Sequence, residues 1–149
     1  MFIVFDLDGT LANIDHRRHL VSKDRRDPQW QEFFQRCVDD TPIRHMVQVF
    51  WALMMSDDDH RIEIWSGRSD EVLRETREWL LNHVTANTGM LTRMRPAVNT
   101  EPDDVLKESW LRALPPDERP ELVFDDRDKV VAMWRRNGIP CLQVAPGNF

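Results

Sequence analysis

Cysteine is scarce in this chain of 149 residues, which has two, Cys37 and Cys141. They lie far apart and in no metal-ligand or redox spacing, so a disulfide framework and a zinc site are excluded; two reduced, buried thiols of a cytosolic protein are expected. Long apolar runs are missing as well. The longest uncharged stretch of the first half, residues 46–56, falls well short of the roughly 20 apolar residues that cross a bilayer. The chain opens directly on a strand-like run, so no targeting segment is expected, and with no membrane partner in view the expected location is cytoplasmic. Cations are the minority, 20 Lys and Arg against 26 Asp and Glu, for a net charge of -6. That balance argues against tight, extended binding of a nucleic-acid backbone and leaves contact with a short end or a nucleotide open. Repeats and low-complexity tracts are absent. What remains is an ordinary globular composition, with six Trp and seven Phe to fill a core without staples. One domain over residues 1–149 is expected, with room for a modest insertion.

Residues 1–5 form a short apolar run stopped by Asp6, Leu7, Asp8, Gly9 and Thr10, which suits a strand buried on both faces. Asp27 and Pro28 look like a helix start, with Trp30, Phe33, Phe34, Cys37 and Val38 at helical spacing behind them. Thr41 and Pro42 read as the start of a second helix carrying Ile43, Met46, Val47, Phe50 and Met54 on one side. Residues 62–65 read as the second core strand, followed at once by Ser66, Gly67 and Arg68. Ser69 caps the next helix, whose inward stripe is Val72, Leu73, Thr76, Trp79 and Leu80. A short strand is expected over residues 90–94, and a helix from Pro102 carrying Val105, Leu106, Trp110 and Leu111. Residues 122–124 repeat the opening pattern, an apolar strand ending in Asp125 and Asp126. A helix from about Arg127 stops at Gly138, and residues 141–144 make a last strand. The alternation implies a three-layer, doubly wound, mostly parallel α/β sheet. Ligands of such sheets bind outside the carboxyl ends of the strands. Three chemically loaded segments fall at such ends: residues 6–10, 66–68 and 125–126.

That convergence defines the chemistry. Asp6 can attack phosphorus and form an acyl phosphate that water later cleaves. Asp8 can protonate the leaving oxygen and then deprotonate the incoming water. Two acids facing a dianionic ester require a hard cation, and carboxylate, phosphate and water oxygens suit Mg2+. Asp125 is the natural further ligand, with Asp126 supporting it from behind. The Ser66 hydroxyl and Gly67 amide can donate to the transferring group, Arg68 can fork onto its oxygens, and Lys107 can offset charge between nucleophile and phosphate. Asp103, four residues before Lys107 on one helix face, reads as the partner that orients it.

Taken in order, residues 6–11, residues 66–68, Lys107 and residues 124–127 resemble the four motifs of haloacid dehalogenase-type phosphatases, over nearly the whole chain. More narrowly, residues 65–70, Arg95 and Pro96 before Asp103 and Lys107, the run Met133, Trp134, Arg135, Arg136, and the ending at residues 143–149 are similar to the 3′-phosphatase domain of bacteriophage polynucleotide kinase/phosphatase. The resemblance implies Asp6 as nucleophile, Asp8 as acid/base, and magnesium held by Asp6, the Asp8 backbone carbonyl and Asp125, with Thr10 a supporting member of the first motif. It also suggests that Arg17, Arg68 and Asp103 matter for activity. That bifunctional family carries a G-x-x-x-x-G-K-[ST] phosphate loop in a kinase domain, and nothing in this sequence matches it.

The basic run at residues 15–26, with Arg17, Arg18, Lys23, Arg25 and Arg26, reads either as a solvated loop balanced by Asp15, Asp24 and Asp27 or as part of a helical cap over about residues 13–45 at the crevice mouth. Trp30, Phe33 and Phe34 are expected to pack in the core of such a cap rather than to stack on bases. The histidines show no metal constellation. The sequence thus points to an enzyme removing terminal phosphate from nucleic acid, at 3′ ends. A mononucleotide phosphatase and a non-catalytic phosphate-binding module are the alternatives. The partner expected is a phosphorylated nucleic-acid end or nucleotide, and no protein partner is inferable.

Overall fold

The computed structural model describes residues 1–24 and 26–148. Arg25 of the basic run and Phe149 of the closing motif lie outside the described residues. The elements in chain order are β1 (Phe2–Phe5), β2 (Ala12–Asn13), α1 (Gln29–Gln35), β3 (Thr41–Pro42), α2 (Arg44–Met54), β4 (Arg61–Ser69), α3 (Leu73–His83), β5 (Leu91–Arg95), α4 (Asp103–Arg112), β6 (Leu122–Asp125), α5 (Asp128–Arg136) and β7 (Cys141–Gln143). Five strands form one sheet in the order β5-β4-β1-β6-β7, and every pairing in it is parallel.

Alternation along the strands sorts the core into two layers, because successive side chains leave a strand on opposite faces. Ile3 and Phe5 of β1, with Ile62 and Ile64 of β4, meet Met46, Val47 and Phe50 of α2 and Trp79 and Leu80 of α3. Phe2 and Val4, with Val123 and Cys141, meet Leu111 of α4 and Val130, Val131, Met133 and Trp134 of α5. Phe5 stacks on Phe124 at 4.4 Å between ring centroids and meets Phe50 edge-on at 5.2 Å. The layers are therefore helix, sheet, helix, as expected for the doubly wound class. β1 is central: the chain moves outward to β4 and β5 on one side, then returns to β6 and β7 on the other. The switch leaves a crevice over the ends of β1, β4 and β6.

The segment between β2 and β3 is closed at its base by their antiparallel pairing, Ala12 opposite Pro42 and Asn13 opposite Thr41. It holds 3₁₀ turns at Asp15–Leu20 and Arg36–Asp39 around α1. Asp27 Oδ1 accepts the Gln29 N–H at 3.0 Å, which supports the start of α1. Trp30, Phe33 and Phe34 pack with Ile14, Leu20, Cys37 and Val72 in a satellite cluster, as the reading of those rings as packing groups expects.

Some local readings change. Thr41 and Pro42 pair as a strand, and the helix behind them begins at Arg44. Met54 and Val105 face solvent rather than the core. β4 continues through Ser66, Gly67 and Arg68 to Ser69, with its pairing to β5 shifted between Ser66 and Ser69, so the loaded triplet lies in the strand instead of following it. Ser69 caps as expected, its Oγ accepting the Glu71 N–H.

Candidate active site

β1 delivers Asp6 into the crevice, and the turn after it brings Asp8 to the same opening. The turn depends on Gly9, whose φ of 86° is left-handed and whose Cα faces the Asp126 carboxylate; a Cβ there would stand 2.1 Å from Asp126 Oδ2. β6 supplies Asp125 and Asp126, and α4 supplies Lys107. The Lys107 ammonium donates to Asp6 Oδ1 at 2.6 Å and to Asp125 Oδ2 at 2.7 Å, and all three groups are buried. These two carboxylates hold Lys107, so the expectation that Asp103 orients it is corrected. Asp103 is engaged by the guanidiniums of Arg95 and Arg127. Four residues on a helix place two side chains on one face, but the stronger buried pairs decide which neighbour each one takes.

Among the described residues, carboxylate oxygens of Asp6, Asp125 and Asp126 lie within 4.8 Å of one another. Asp126 was expected to support the site from behind; its oxygens instead belong to the cluster. Both are buried without a hydrogen-bond partner, and so is the Thr10 hydroxyl. Burial pushes the Asp126 carboxyl up to about 7, helped by the negative charge of Asp125. Burial also raises Asp6, against the pull of Lys107 and with a push from Asp125 and Asp126. Burial would lower Lys107, but Asp125 and Asp6 outweigh it, and the ammonium is held charged. Lys107, with the charge of Arg127 nearby, thus faces three buried carboxylates. A hard divalent ion fits this donor set: it would satisfy the orphaned Asp126 oxygens and the charge Lys107 leaves unbalanced.

Arg17 and Arg68 are each fully buried, and neither guanidinium is free to fork onto a ligand in this arrangement. Arg17 Nη2 donates to Asp8 Oδ1 at 2.8 Å and to Asp40 Oδ2 at 2.5 Å, and its Nε donates to Asp40 Oδ1 at 2.7 Å. Arg68 Nη2 bonds Asp8 Oδ1 and also donates to Asp40 Oδ2 at 2.9 Å. Burial alone would raise Asp8; the two guanidiniums override it and hold the carboxyl at about 2. The solvated-loop reading does not fit Arg17, which is an interior residue of the inserted segment. Ser66 is buried, its Oγ accepting the Arg68 N–H at 3.2 Å, while Gly67 lines the reaction pocket with Asp6, Asp8, Asp103, Lys107 and Asp125. The carbonyl of Gly67 accepts from Arg95 Nε at 2.9 Å.

Asp40 is the residue that sequence reasoning missed. It takes both guanidiniums, His16 Nε2 at 2.9 Å on Oδ1, and the Trp79 indole N–H at 2.6 Å on its backbone carbonyl. A donor count carried the signal: two arginines bring about ten N–H groups, more than the carboxylate of Asp8 can accept. The count becomes usable only once both arginines are known to be buried. Arg127, noted only as part of a motif, anchors the loop through its N–H to Asp125 Oδ1 at 3.1 Å and its side chain to Asp103.

A family model described as the polynucleotide kinase PNKP phosphatase domain matches residues 1–149. A chain in a structure of the Pnkp1/Rnl/Hen1 RNA repair complex is 26% identical, with 99% of this chain and 43% of that one covered and a TM-score of 0.73. A second structure of the Pnkp1/Rnl/Hen1 complex gives 25% identity, 99% and 46% coverage, and a TM-score of 0.74. This chain therefore spans less than half the length of those two relatives. A haloacid dehalogenase-like hydrolase from Streptococcus pneumoniae, 13% identical with 95% of this chain and 83% of that one covered, shares the fold at a TM-score of 0.57. With an acid-lined crevice at the sheet's switch point and a match along its whole length, the chain is a phosphoric monoester hydrolase of the haloacid dehalogenase type and belongs to the family of polynucleotide kinase PNKP phosphatase domains.

Proposed function

We propose that this chain is a magnesium-dependent phosphomonoesterase that works through an aspartyl-phosphate on Asp6 and removes the terminal 3′-phosphate from nucleic acid. The observation that carries the reaction is the Lys107 ammonium held between Asp6 and Asp125 at the mouth of β1 and β6, beside an Asp126 carboxylate with no partner. The nucleic-acid end is supported by the family and by the likeness to a chain of an RNA repair complex.

Asp6 Oδ attacks phosphorus as the bond to the leaving oxygen breaks, and Lys107 remains beside the carboxylate as its negative charge passes to the phosphoryl group. The leaving oxygen takes a proton from Asp8. Water then attacks phosphorus, Asp8 accepts its proton, and the bond from Asp6 to phosphorus breaks. Held at about 2 by Arg17 and Arg68, Asp8 is ionised in this arrangement and ready as a base rather than as an acid. It becomes an acid when a guanidinium turns from it to the phosphoryl oxygens and the carboxylate takes up a proton from water, an exchange that also gives Arg17 or Arg68 the substrate-binding role read from the sequence. Asp6, Asp125, Asp126 and the Asp8 backbone carbonyl would hold magnesium, which would supply electrostatic stabilisation of the charge on the phosphoryl oxygens.

Turnover of a 3′-phosphorylated oligonucleotide, with 3′- and 5′-mononucleotides beside it, tests the reading. Asp6→Asn should abolish phosphate release and the acid-stable phosphoryl-enzyme while unfolding as cooperatively as the wild type. Near-normal turnover in that variant would sink the covalent mechanism. Fast mononucleotide hydrolysis with an inert oligonucleotide would make the chain a nucleotidase instead.

A further inference from the structure

We propose that the terminal nucleoside of the substrate, the leaving group of the reaction, lies in a second cavity between α1 and residues 96–100, and that this cavity accepts one nucleoside without a further phosphodiester. The proposal rests on the reaction at Asp6 and assigns where the remainder of that substrate goes.

The reaction pocket offers a volume of about 30 Å³, room for about two or three waters. The pocket can hold the reacting group only by small adjustments and has no room for a sugar or a base. Beside it lies a cavity of about 280 Å³, near the lower end of small-molecule sites. The two cavities share Trp30 and Phe34 as walls. Arg95 is a second link, because it lines the outer cavity while binding the Gly67 carbonyl and Asp103, both of which line the inner one. The outer cavity thus adjoins the inner one across Trp30, Phe34 and Arg95, and a group bonded to a phosphate at Asp6 would enter it past these side chains.

The lining selects what can follow that path. Trp30 and Phe34 present an apolar wall fixed by the satellite cluster, with ring centroids 5.8 Å apart. Gln31 and Thr100 line the same cavity with a neutral amide and a hydroxyl of the kind that read a base edge or a sugar, while the Asn99 amide is engaged by Arg95 and Glu101. Among the described residues the cavity's one cation is already committed: Arg95 donates through Nε to Gly67, through Nη1 to Asn99 and Glu101, and through Nη2 to Asp103. Glu71 adds an exposed negative charge. A nucleoside suits this surface, whereas a second phosphate would meet Glu71 with no uncommitted cation. The cavity of about 270 Å³ on the other side of Phe34 is a poorer path, since it lacks Trp30 and carries Glu71 and Glu75.

The test is Thr100→Trp, which fills the cavity from an exposed position outside the network of Asp6, Lys107 and Asp125. Against a 3′-phosphorylated oligonucleotide, kcat/KM should fall about tenfold, carried by KM, as expected for losing contacts worth one stacked base. Against a glycerol phosphate, which does not reach the cavity, the same variant should stay within about twofold of wild type. Equal losses on both esters, or no loss on either, would overturn the assignment. In the wild type, KM for a 3′-mononucleotide and for a 3′-phosphorylated trinucleotide should agree within about threefold, and a steady fall of KM with length would also overturn it. Wild-type protein inert towards every ester would refute the reaction itself, whereas an active enzyme indifferent to Thr100→Trp would refute the cavity alone.

Discussion

Metal-free protein should lose stability as pH rises from about 5.5 to 8, and magnesium should abolish most of that loss. The main group is Asp126, buried, without a hydrogen-bond partner and facing Asp125 and Asp6; Asp6, which burial also raises, adds to the loss. Its carboxyl is pushed from an ordinary value of 3.8 up to about 7 in the folded chain. A raised folded pKa means that the native state binds the extra proton. The contribution is therefore fully present below the unfolded pKa and disappears as pH climbs through the folded one. The shift spans about three pKa units, so the linked free energy has an upper value of roughly 4 kcal/mol. Only the part of that span above pH 5.5, about 1.5 pH units or roughly 2 kcal/mol, is lost between the two pH values; in a chain of this size each kcal/mol moves the melting temperature by roughly 2–4 °C, so Tm in chelator should drop by about 4–8 °C from Asp126 alone. The assay is thermal unfolding in chelator and in excess magnesium at both pH values, for the wild type and for Asp126→Asn. The amide cannot titrate, so the variant should show a much flatter profile in chelator and a smaller magnesium-induced rise in Tm. A wild-type Tm in chelator that is flat or rises over this range, or a variant with the wild-type slope, would refute the reasoning.

Three further outcomes follow from particular contacts. Asp40→Ala removes the carboxylate shared by Arg17 and Arg68 and leaves two buried cations short of partners, which should cost about 3–5 kcal/mol in urea unfolding; a loss below about 1 kcal/mol would show that Asp8 alone suffices. Gly9→Ala puts a Cβ against the Asp126 carboxylate from a left-handed backbone position; it should lower stability by about 1–3 kcal/mol and weaken magnesium binding by calorimetry, and unchanged affinity would contradict the close approach. Burial pushes the Cys141 thiol up to about 12, so alkylation of the native protein near pH 8 should run at least about a hundredfold slower than in denaturant, read by mass spectrometry; comparable rates would mean that the segment around β7 opens readily.

The fold and the roll of reacting groups were legible because both rest on local pattern. Ile3 and Phe5 against Phe2 and Val4 announce a strand with two buried faces, and acids at the ends of two such strands announce a polar crevice. The helix stripe with Trp79 and Leu80 and the stop at Gly138 are equally local, set by side-chain period and backbone conformation. The misreadings share a different cause. Thr41 and Pro42 have the chemistry of a helix start, yet Ala12 and Asn13, nearly thirty residues away, recruit them into a strand pair. Asp103 has the spacing to reach Lys107, yet Arg95 and Arg127 take it.

By itself the sequence determined the sheet class and the acids that meet at the strand ends, Asp6, Asp8 and Asp125, since those follow from period, residue type and charge. Only the tertiary structure decided how the buried charges are matched. It pairs Lys107 with Asp6 and Asp125, sinks Arg17 and Arg68 onto Asp8 and Asp40, and leaves the Asp126 oxygens without a hydrogen-bond partner. Ion pairing in a low-dielectric interior depends on which groups lie within a few ångströms after folding, and that proximity is set by the packing of elements remote in the chain.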